Sequence, residues 1–255
     1  MRPSALCLLL FAASACAGAH AQAPAEPPPD PASAEVQAIA AAARDANAAL
    51  AVDAPRWDVA RQQIPTPLDR AYLERRLGEH ARSHGLELSQ FRLAPPDAKP
   101  IELPARVHPA APYPLRAEDA LLEPKVRFAL TPLVPARVEA FVRTLPEVTP
   151  LVIVQAIERG MDFAQIEATA PTFRQLDPAP RYALEMPADR AGDDRLAADV
   201  AAANEQLAAL SDARLRHERM RAYEAARARA EANAAAIELP PPARPGAPAP
   251  RTAAP

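Results

Sequence analysis

Residues 67–84 show the spacing of an amphipathic helix. One face collects an apolar residue at every fourth position: Leu73, Leu77 and Ala81. Thr66 precedes a proline at the first helical position and stands three residues before Asp69, so we expect Thr66 to cap the helix. Gly85 supplies the left-handed residue with which helices commonly end. The pattern therefore predicts a well-delimited helix that packs one face on a core.

Strand spacing follows this helix directly. Apolar residues alternate with one slip at Ser89-Gln90, which predicts a strand with a β-bulge over Leu86, Leu88, Phe91 and Leu93. Residues 94–124 contain many prolines and little periodicity, so we expect a long loop. Residues 125–130 alternate cleanly again. The buried face of this second strand would carry Val126, Phe128 and Leu130.

The helix–strand–strand order then repeats. An apolar stripe predicts a helix over 135–145, formed by Val138, Phe141, Val142 and Leu145. Residues 151–157 are apolar on both faces, which predicts a central strand. Residues 181–186 alternate and predict a fourth strand, whereas 163–166 fits a short helix or a strand edge. The fold class is therefore α+β, a ferredoxin-like α-β-β-α-β-β sandwich over 66–187.

Helices are also predicted on both sides of this domain. The alanine-rich segment 33–52 places Val36 and Ile39 on one face, and a lone helix of this length needs a partner. Segment 193–238 predicts a long helix with coiled-coil spacing, carried by Leu196, Val200, Leu207 and Leu210. Beyond Leu210 the same spacing meets Arg214, so the stripe ends there. The rest of the helix would either pack on a partner or project into solvent.

The N-terminus has the three parts of a secretory signal peptide over residues 1–21. Arg2 precedes an apolar run over 5–15, and the small-x-small site Ala19-His20-Ala21 follows. The run is shorter than the roughly 20 residues of a membrane span. We expect cleavage after Ala21. An uncleaved membrane anchor and a lipid on Cys16 are the alternatives.

Composition narrows the class of protein further. A Pro-rich linker over 22–32 and a disordered Pro/Ala-rich tail over 240–255 flank the folded part. Both cysteines, Cys7 and Cys16, fall inside the signal, so the mature chain has no disulfide and no thiolate nucleophile. The net charge is −3 and no basic stripe carries interleaved aromatic residues, which argues against a nucleic-acid partner. We expect a periplasmic protein.

Candidate chemistry is sparse. His80 and His84 stand four residues apart on the predicted helix, a spacing that can place two imidazoles on one metal. No third ligand is identified, and two histidines near a helix C-terminus need only the helix dipole to explain them. Neither a nucleophile elbow nor a phosphate-binding glycine loop is present. We therefore expect no catalytic residues, no cofactor and no metal.

The order of elements resembles one known family. The stretches that carry the resemblance are Tyr72-Leu73-Glu74-Arg75-Arg76-Leu77 through His84-Gly85-Leu86, and Val138-Glu139-Ala140-Phe141-Val142-Arg143-Thr144-Leu145-Pro146 leading into Leu151-Val152-Ile153-Val154. The pattern is similar to the periplasmic domains of type IV pilus O-like and type II secretion M-like inner-membrane proteins. This resemblance implies a non-catalytic component of an assembly platform that pairs with a homologous domain. Members of that family carry a coiled coil before the domain, whereas here the longest helix follows it.

The sequence thus favours a non-enzymatic envelope scaffold that acts through protein–protein contacts. The partner would be a homologous domain or a second copy of the chain. The predicted contact surfaces are the terminal helices and the exposed face of strand 125–130. The contact residues of the terminal helices are Leu196, Val200, Leu207, Leu210, Val36 and Ile39. A periplasmic chaperone or adaptor that grips clients with a projecting helix is the second hypothesis. A metal-binding protein or hydrolase built on His80 and His84 is the third.

Overall fold

The computed structural model describes residues 30–51, 54–96 and 99–240. The predicted signal peptide, most of the Pro-rich linker and nearly all of the predicted tail lie outside these ranges. The described helices are α1 (Pro31–Leu50), α2 (Ala54–Gln63), α3 (Arg70–Ser83), α4 (Pro135–Thr144) and α5 (Asp194–Ala236). The described strands are β1 (Glu87–Leu93), β2 (Arg106–Val107), β3 (Leu121–Leu122), β4 (Lys125–Thr131), β5 (Ile153–Arg159), β6 (Ala164–Thr169), β7 (Thr172–Phe173) and β8 (Arg181–Tyr182).

The centre of the fold is a four-stranded antiparallel sheet in the order β1-β4-β6-β5. Two predictions about its strands were wrong. The segment predicted to be central, β5, lies at an edge, and the undecided segment around 163–166 forms the inner strand β6. The segment predicted as the fourth strand contributes only the two residues of β8, which pair with β2 outside the main sheet. The α+β class is correct.

Helices α3 and α4 cover one face of this sheet. Alternate residues of the strands point toward them, as the spacing predicted, and both apolar helix stripes are buried. Phe141 of α4 lies in the middle of this core, with its ring 6.2 Å from the ring of Phe128 on β4. The core is aliphatic apart from a few phenylalanine rings, which fits a sequence with few aromatic residues.

Helix α3 begins three residues later than predicted. Asp69, not Thr66, is the N-cap: its carboxylate accepts hydrogen bonds from Ala71 N at 2.8 Å and Tyr72 N at 3.3 Å. The Thr66 hydroxyl instead donates to the carbonyl of Phe173. Aspartate caps a helix N-terminus as well as threonine does. Because the Thr66 hydroxyl is bonded to Phe173, Asp69 takes the capping position.

Two glycines of this region have opposite roles. Gly85 ends the helix at φ +67°, as predicted, and a Cβ there would lie 2.9 Å from Arg137 Nη1. Gly78 lies inside α3 with open space around its Cα. The predicted bulge in β1 is also present between Ser89 and Arg92, where Gln90 has φ 53°.

Helix α5 extends for 43 residues, about 65 Å at the rise of an α-helix. Its first half runs parallel to α1, with the Ser33 hydroxyl bonded to Asp199 near one end of the contact. Its second half packs on β5, against α2, and near α4. The stripe at the predicted spacing ends at Leu210, since Arg221 and Glu224 are exposed, but the helix stays packed beyond it. Its later buried residues occupy other positions, and they include Ala213, Met220, Tyr223, Ala226, Ala230 and Ala234.

The outer edge of β5 is covered by α5. Asn233 Nδ2 donates to the Val154 carbonyl at 2.8 Å, which satisfies one acceptor of this edge strand. Ala226 and Ala230 press against Ile153 and Leu151 on the same side. This contact explains why β5 is apolar on both faces although it is not central, because one face meets the sheet core and the other meets a helix.

Candidate functional site

The structure places the predicted contact residues inside the chain. Leu196, Val200, Leu207 and Leu210 are buried, and Val36 and Ile39 are half-buried. Ile39, Leu207 and Leu210 belong to one apolar cluster between α1 and α5. These two helices therefore satisfy each other's apolar faces. Contact of these residues with a second protein stays a prediction.

Among the described residues, the second face of the four-stranded sheet carries no helix over β1, β4 and β6, whereas α5 packs on this face at β5. We call the uncovered part the bare face and define it by its outward residues on three strands: Ser89, Arg92, Lys125, Arg127, Gln165 and Glu167. Arg127 pairs with Glu167 across β4 and β6 at 2.5 Å. The polar character of these positions fits a sheet that faces water on one side.

Cations are concentrated at one corner of the bare face. Arg92 stands directly opposite Arg127 in the register of β1 and β4, and Lys125 follows on the same face. Neither Arg92 nor Lys125 has a carboxylate within ion-pair distance among the described residues. Like charges opposite each other across strands are unfavourable. Beside the β1 edge, the corner therefore holds two cations without an ion pair among the described residues, Arg92 and Lys125, next to the paired Arg127.

The β1 edge itself has no further strand beside it in the described part of the chain. Strand edges expose backbone N–H and C=O groups that can pair with another chain. Here the bulge at Ser89–Arg92 bends the middle of the edge, and the Phe91 carbonyl accepts a long hydrogen bond from Arg70. The two edges of the sheet thus differ, since α5 covers β5.

The two candidate metal-binding histidines do lie together, against α4. Thr144 Oγ1 is 3.1 Å from Nε2 of both His80 and His84, and it also donates to the Ala140 carbonyl at 2.9 Å. His80 Nε2 also lies 3.3 Å from the Phe141 carbonyl, and because a carbonyl can only accept, this nitrogen of His80 is the donor. Across the described ranges, no group of three or more His, Cys, Asp or Glu side chains could hold a metal ion.

Burial lowers the pKa of His80. The hydrogen bond to the Phe141 carbonyl opposes this effect, and His84 adds to it. Glu147 raises and Arg76 lowers the same pKa by smaller amounts. The neutral imidazole is thus the form that the interface of α3 and α4 accommodates.

A large groove opens between α1 and α5, and the sequence pattern hardly indicates it. It has a volume of about 650 Å³, and the loop 108–113 forms its third wall. We call it the α1–α5 groove and define it by the residues that the argument uses: Ala42 and Ala46 of α1, Tyr113, Tyr182, and Arg214 and Glu218 of α5. The one signal was Arg214, a cation at a position where the apolar spacing of α5 requires a hydrophobic residue.

Helix α5 holds the back wall of this groove through two polar side chains. Ser211 Oγ accepts from Tyr182 N at 2.8 Å and donates to the Leu207 carbonyl at 2.7 Å. Asn204 accepts from Leu184 N at 2.8 Å and donates to the carbonyl of the same residue at 3.1 Å. These bonds fix β8 along α5 and hold the ring of Tyr182 in the groove.

Within the described residues, α5 does not project into solvent as the chaperone hypothesis requires. The segment after Leu210 is packed on α2, β5 and the loop around Leu121. None of the helices in the described part of the chain is both long and apolar enough to cross a membrane.

Comparison of the chain with protein-family models, with curated proteins and with solved structures gives no match.

Proposed function

We propose that the chain is a non-enzymatic scaffold of the bacterial cell envelope that acts through protein–protein contacts in the periplasm. The contact would be made by the bare face and the adjoining β1 edge. The observation that carries this proposal is the positive corner of the bare face, where Arg92 and Lys125 have no ion pair among the described residues and Arg92 stands opposite Arg127, which pairs with Glu167. Two arginines that face each other across strands destabilise an isolated sheet, because like charges repel. A partner that places carboxylates beside them would offset this repulsion.

The layout of the sheet supports a domain that pairs with a second, similar domain. Two α-β-β units occur in sequence, α3-β1-β4 and α4-β5-β6, and their second strands β4 and β6 pair at the centre. This order is the one expected of a ferredoxin-like sandwich in circularly permuted order. Such two-layer folds leave one sheet face free for a partner. The component would belong to a pilus or type II secretion-like assembly system.

The partner that fits this surface is a similar domain with an acidic contact face, either in a homologous protein or in a second copy of this chain. Strand pairing along β1 would supply main-chain hydrogen bonds, and the charged corner would set the register. The bulge restricts pairing to the ends of β1, which favours a specific partner over indiscriminate edge-to-edge association.

The test is a pull-down from detergent-solubilised envelopes with a C-terminal tag on the full chain. The informative variant is Arg92→Glu with Lys125→Glu, since both side chains are exposed and neither holds an ion pair among the described residues. The matched control is Arg44→Glu with Arg195→Glu, which makes the same charge change on the exposed sides of α1 and α5. We expect the bare-face variant to lose its partner at least tenfold and the control to keep it.

Two outcomes would contradict the proposal. Equal recovery of the same proteins by the wild type and the bare-face variant would show that the positive corner does not contribute to the contact. Loss of the partner by the control variant alone would indicate that the terminal helices, and not the bare face, make the contact. Mass spectrometry of the purified N-terminus in the same sample tests export, since cleavage after Ala21 leaves a chain that begins at Gln22.

A further inference from the structure

The α1–α5 groove has the size of a small-molecule site. Its volume of about 650 Å³ falls within the range of about 300–1,000 Å³ that is usual for ligand pockets. The α1 side of the groove is lined by alanines, at positions where a larger side chain would fill the space. Ala42 and His108 are exposed at the mouth, so the interior is open to solvent on one side.

Most of the groove wall is apolar or aromatic. The rings of Tyr113 and Tyr182 lie 5.7 Å apart, and the Tyr113 hydroxyl donates to the Pro180 carbonyl at 3.2 Å. Removal from water raises the pKa of Tyr113 to about 12, and that of Tyr182 is raised for the same reason. A charge placed beside these rings is poorly solvated, which strengthens any ion pair formed there.

One cation in this wall, Arg214, forms no ion pair with the described residues. Arg214 Nε is buried and has no hydrogen-bond partner among the residues that the structure describes. Glu218, one helical turn further along the groove wall, pairs with Arg221 at 3.4 Å instead. A guanidinium whose buried N–H is unsatisfied costs free energy that an anionic ligand would recover.

We propose that the α1–α5 groove binds an amphipathic carboxylate. The carboxylate would accept hydrogen bonds from the guanidinium of Arg214, in the planar geometry that favours arginine over lysine. Its apolar body would lie along the alanines of α1 and the rings of Tyr113 and Tyr182. A neutral alcohol with the same alkyl chain would make the same apolar contacts but would not form an ion pair with Arg214. A protonated amine would be repelled by the positive charge of Arg214.

Isothermal titration of the full chain with decanoate, decanol and decyltrimethylammonium, each below its micelle concentration, tests this assignment. We expect decanoate to bind at least tenfold more tightly than either of the other two, because one charge-assisted hydrogen bond is worth at least that factor. Arg214→Met should remove this preference and weaken decanoate binding by about tenfold or more. Arg195→Met makes the same change on the exposed start of α5 and should bind like the wild type.

Ala42→Phe gives a second and independent variant, since it fills the mouth from an exposed position on α1 and leaves Arg214 in place. We expect it to abolish decanoate binding while circular dichroism stays that of the wild type. Equal affinity of decanoate for the wild type and Arg214→Met would overturn the proposal. So would equal binding of decanol and decanoate, or the absence of decanoate binding to the wild type.

Discussion

Replacing Ala230 by leucine tests the close packing of α5 on the sheet edge. Ala230 is 1% exposed and Ala226 is fully buried, and both lie against Leu151 and Ile153. Leucine replaces a methyl group with an isobutyl group at a contact that has no room for it. Overpacking of a filled core costs about 1–3 kcal/mol, whereas the change in helix propensity is only a few tenths of a kcal/mol.

The assay is urea denaturation followed by circular dichroism, with the slope of the transition compared between variants. We expect Ala230→Leu to lower the free energy of unfolding by about 2 kcal/mol. For a chain of this size that corresponds to a fall in Tm of about 4–8 °C.

The matched control is Ala228→Leu, two residues earlier on the exposed side of the same helix. It makes the identical chemical change and should alter stability by less than about 0.5 kcal/mol. Equal effects of the two substitutions would refute the reasoning. A helix that projects into solvent, as one of the hypotheses from the sequence required, would give that result.

Three further predictions concern the helices of the main domain. Asp69→Ala should cost about 1 kcal/mol through the lost cap in urea unfolding, while Thr66→Ala should leave the start of α3 unchanged by amide hydrogen exchange. In thermal melts, Gly78→Ala should stabilise the chain by about 0.5–1 kcal/mol, since the site is helical and open, and Gly85→Ala should destabilise it by about 1–2 kcal/mol because of its positive φ. His80 has a lowered pKa in the folded chain, so the unfolded chain takes up its proton first as the pH falls below about 6.5. Stability should therefore decrease between pH 7.5 and 5.5 less steeply in His80→Gln than in the wild type; equal slopes would exclude this role.

Local signals predicted the local structure well. The stripes of α3 and α4, the alternation in β4, the bulge in β1 and the left-handed Gly85 all depend on interactions within a few residues of the chain. Such features follow from periodicity and backbone sterics, which the sequence displays directly. The start of α3 was missed because two acceptable caps stand three residues apart, and the choice between them is made by the distant Phe173 carbonyl.

The candidate sites could not be predicted in the same way. At the positive corner, Lys125 and Arg127 lie on β4, whose sequence shows only the alternation of a half-exposed strand. Arg92 lies on β1 and comes next to them through the pairing register of β1 with β4. Arg214 was visible as an interruption of an apolar stripe, but its unsatisfied state depends on the position of α1. Both sites arise from contacts between segments far apart in the chain.

By itself the sequence determined the helices α1, α3, α4 and α5, the alternation of β1 and β4, and the α+β class, because these follow from local spacing. It did not predict α2, and it did not decide whether the segment that forms β6 is a helix or a strand. It did not determine the order of the strands or the location of α5. A strand that is apolar on both faces can lie between two strands or between a core and a helix, and only the packing of α5 on β5 distinguished these cases. The bare face and the α1–α5 groove exist because α5 packs along one sheet edge and along α1, a choice made by burial of surface across the whole chain.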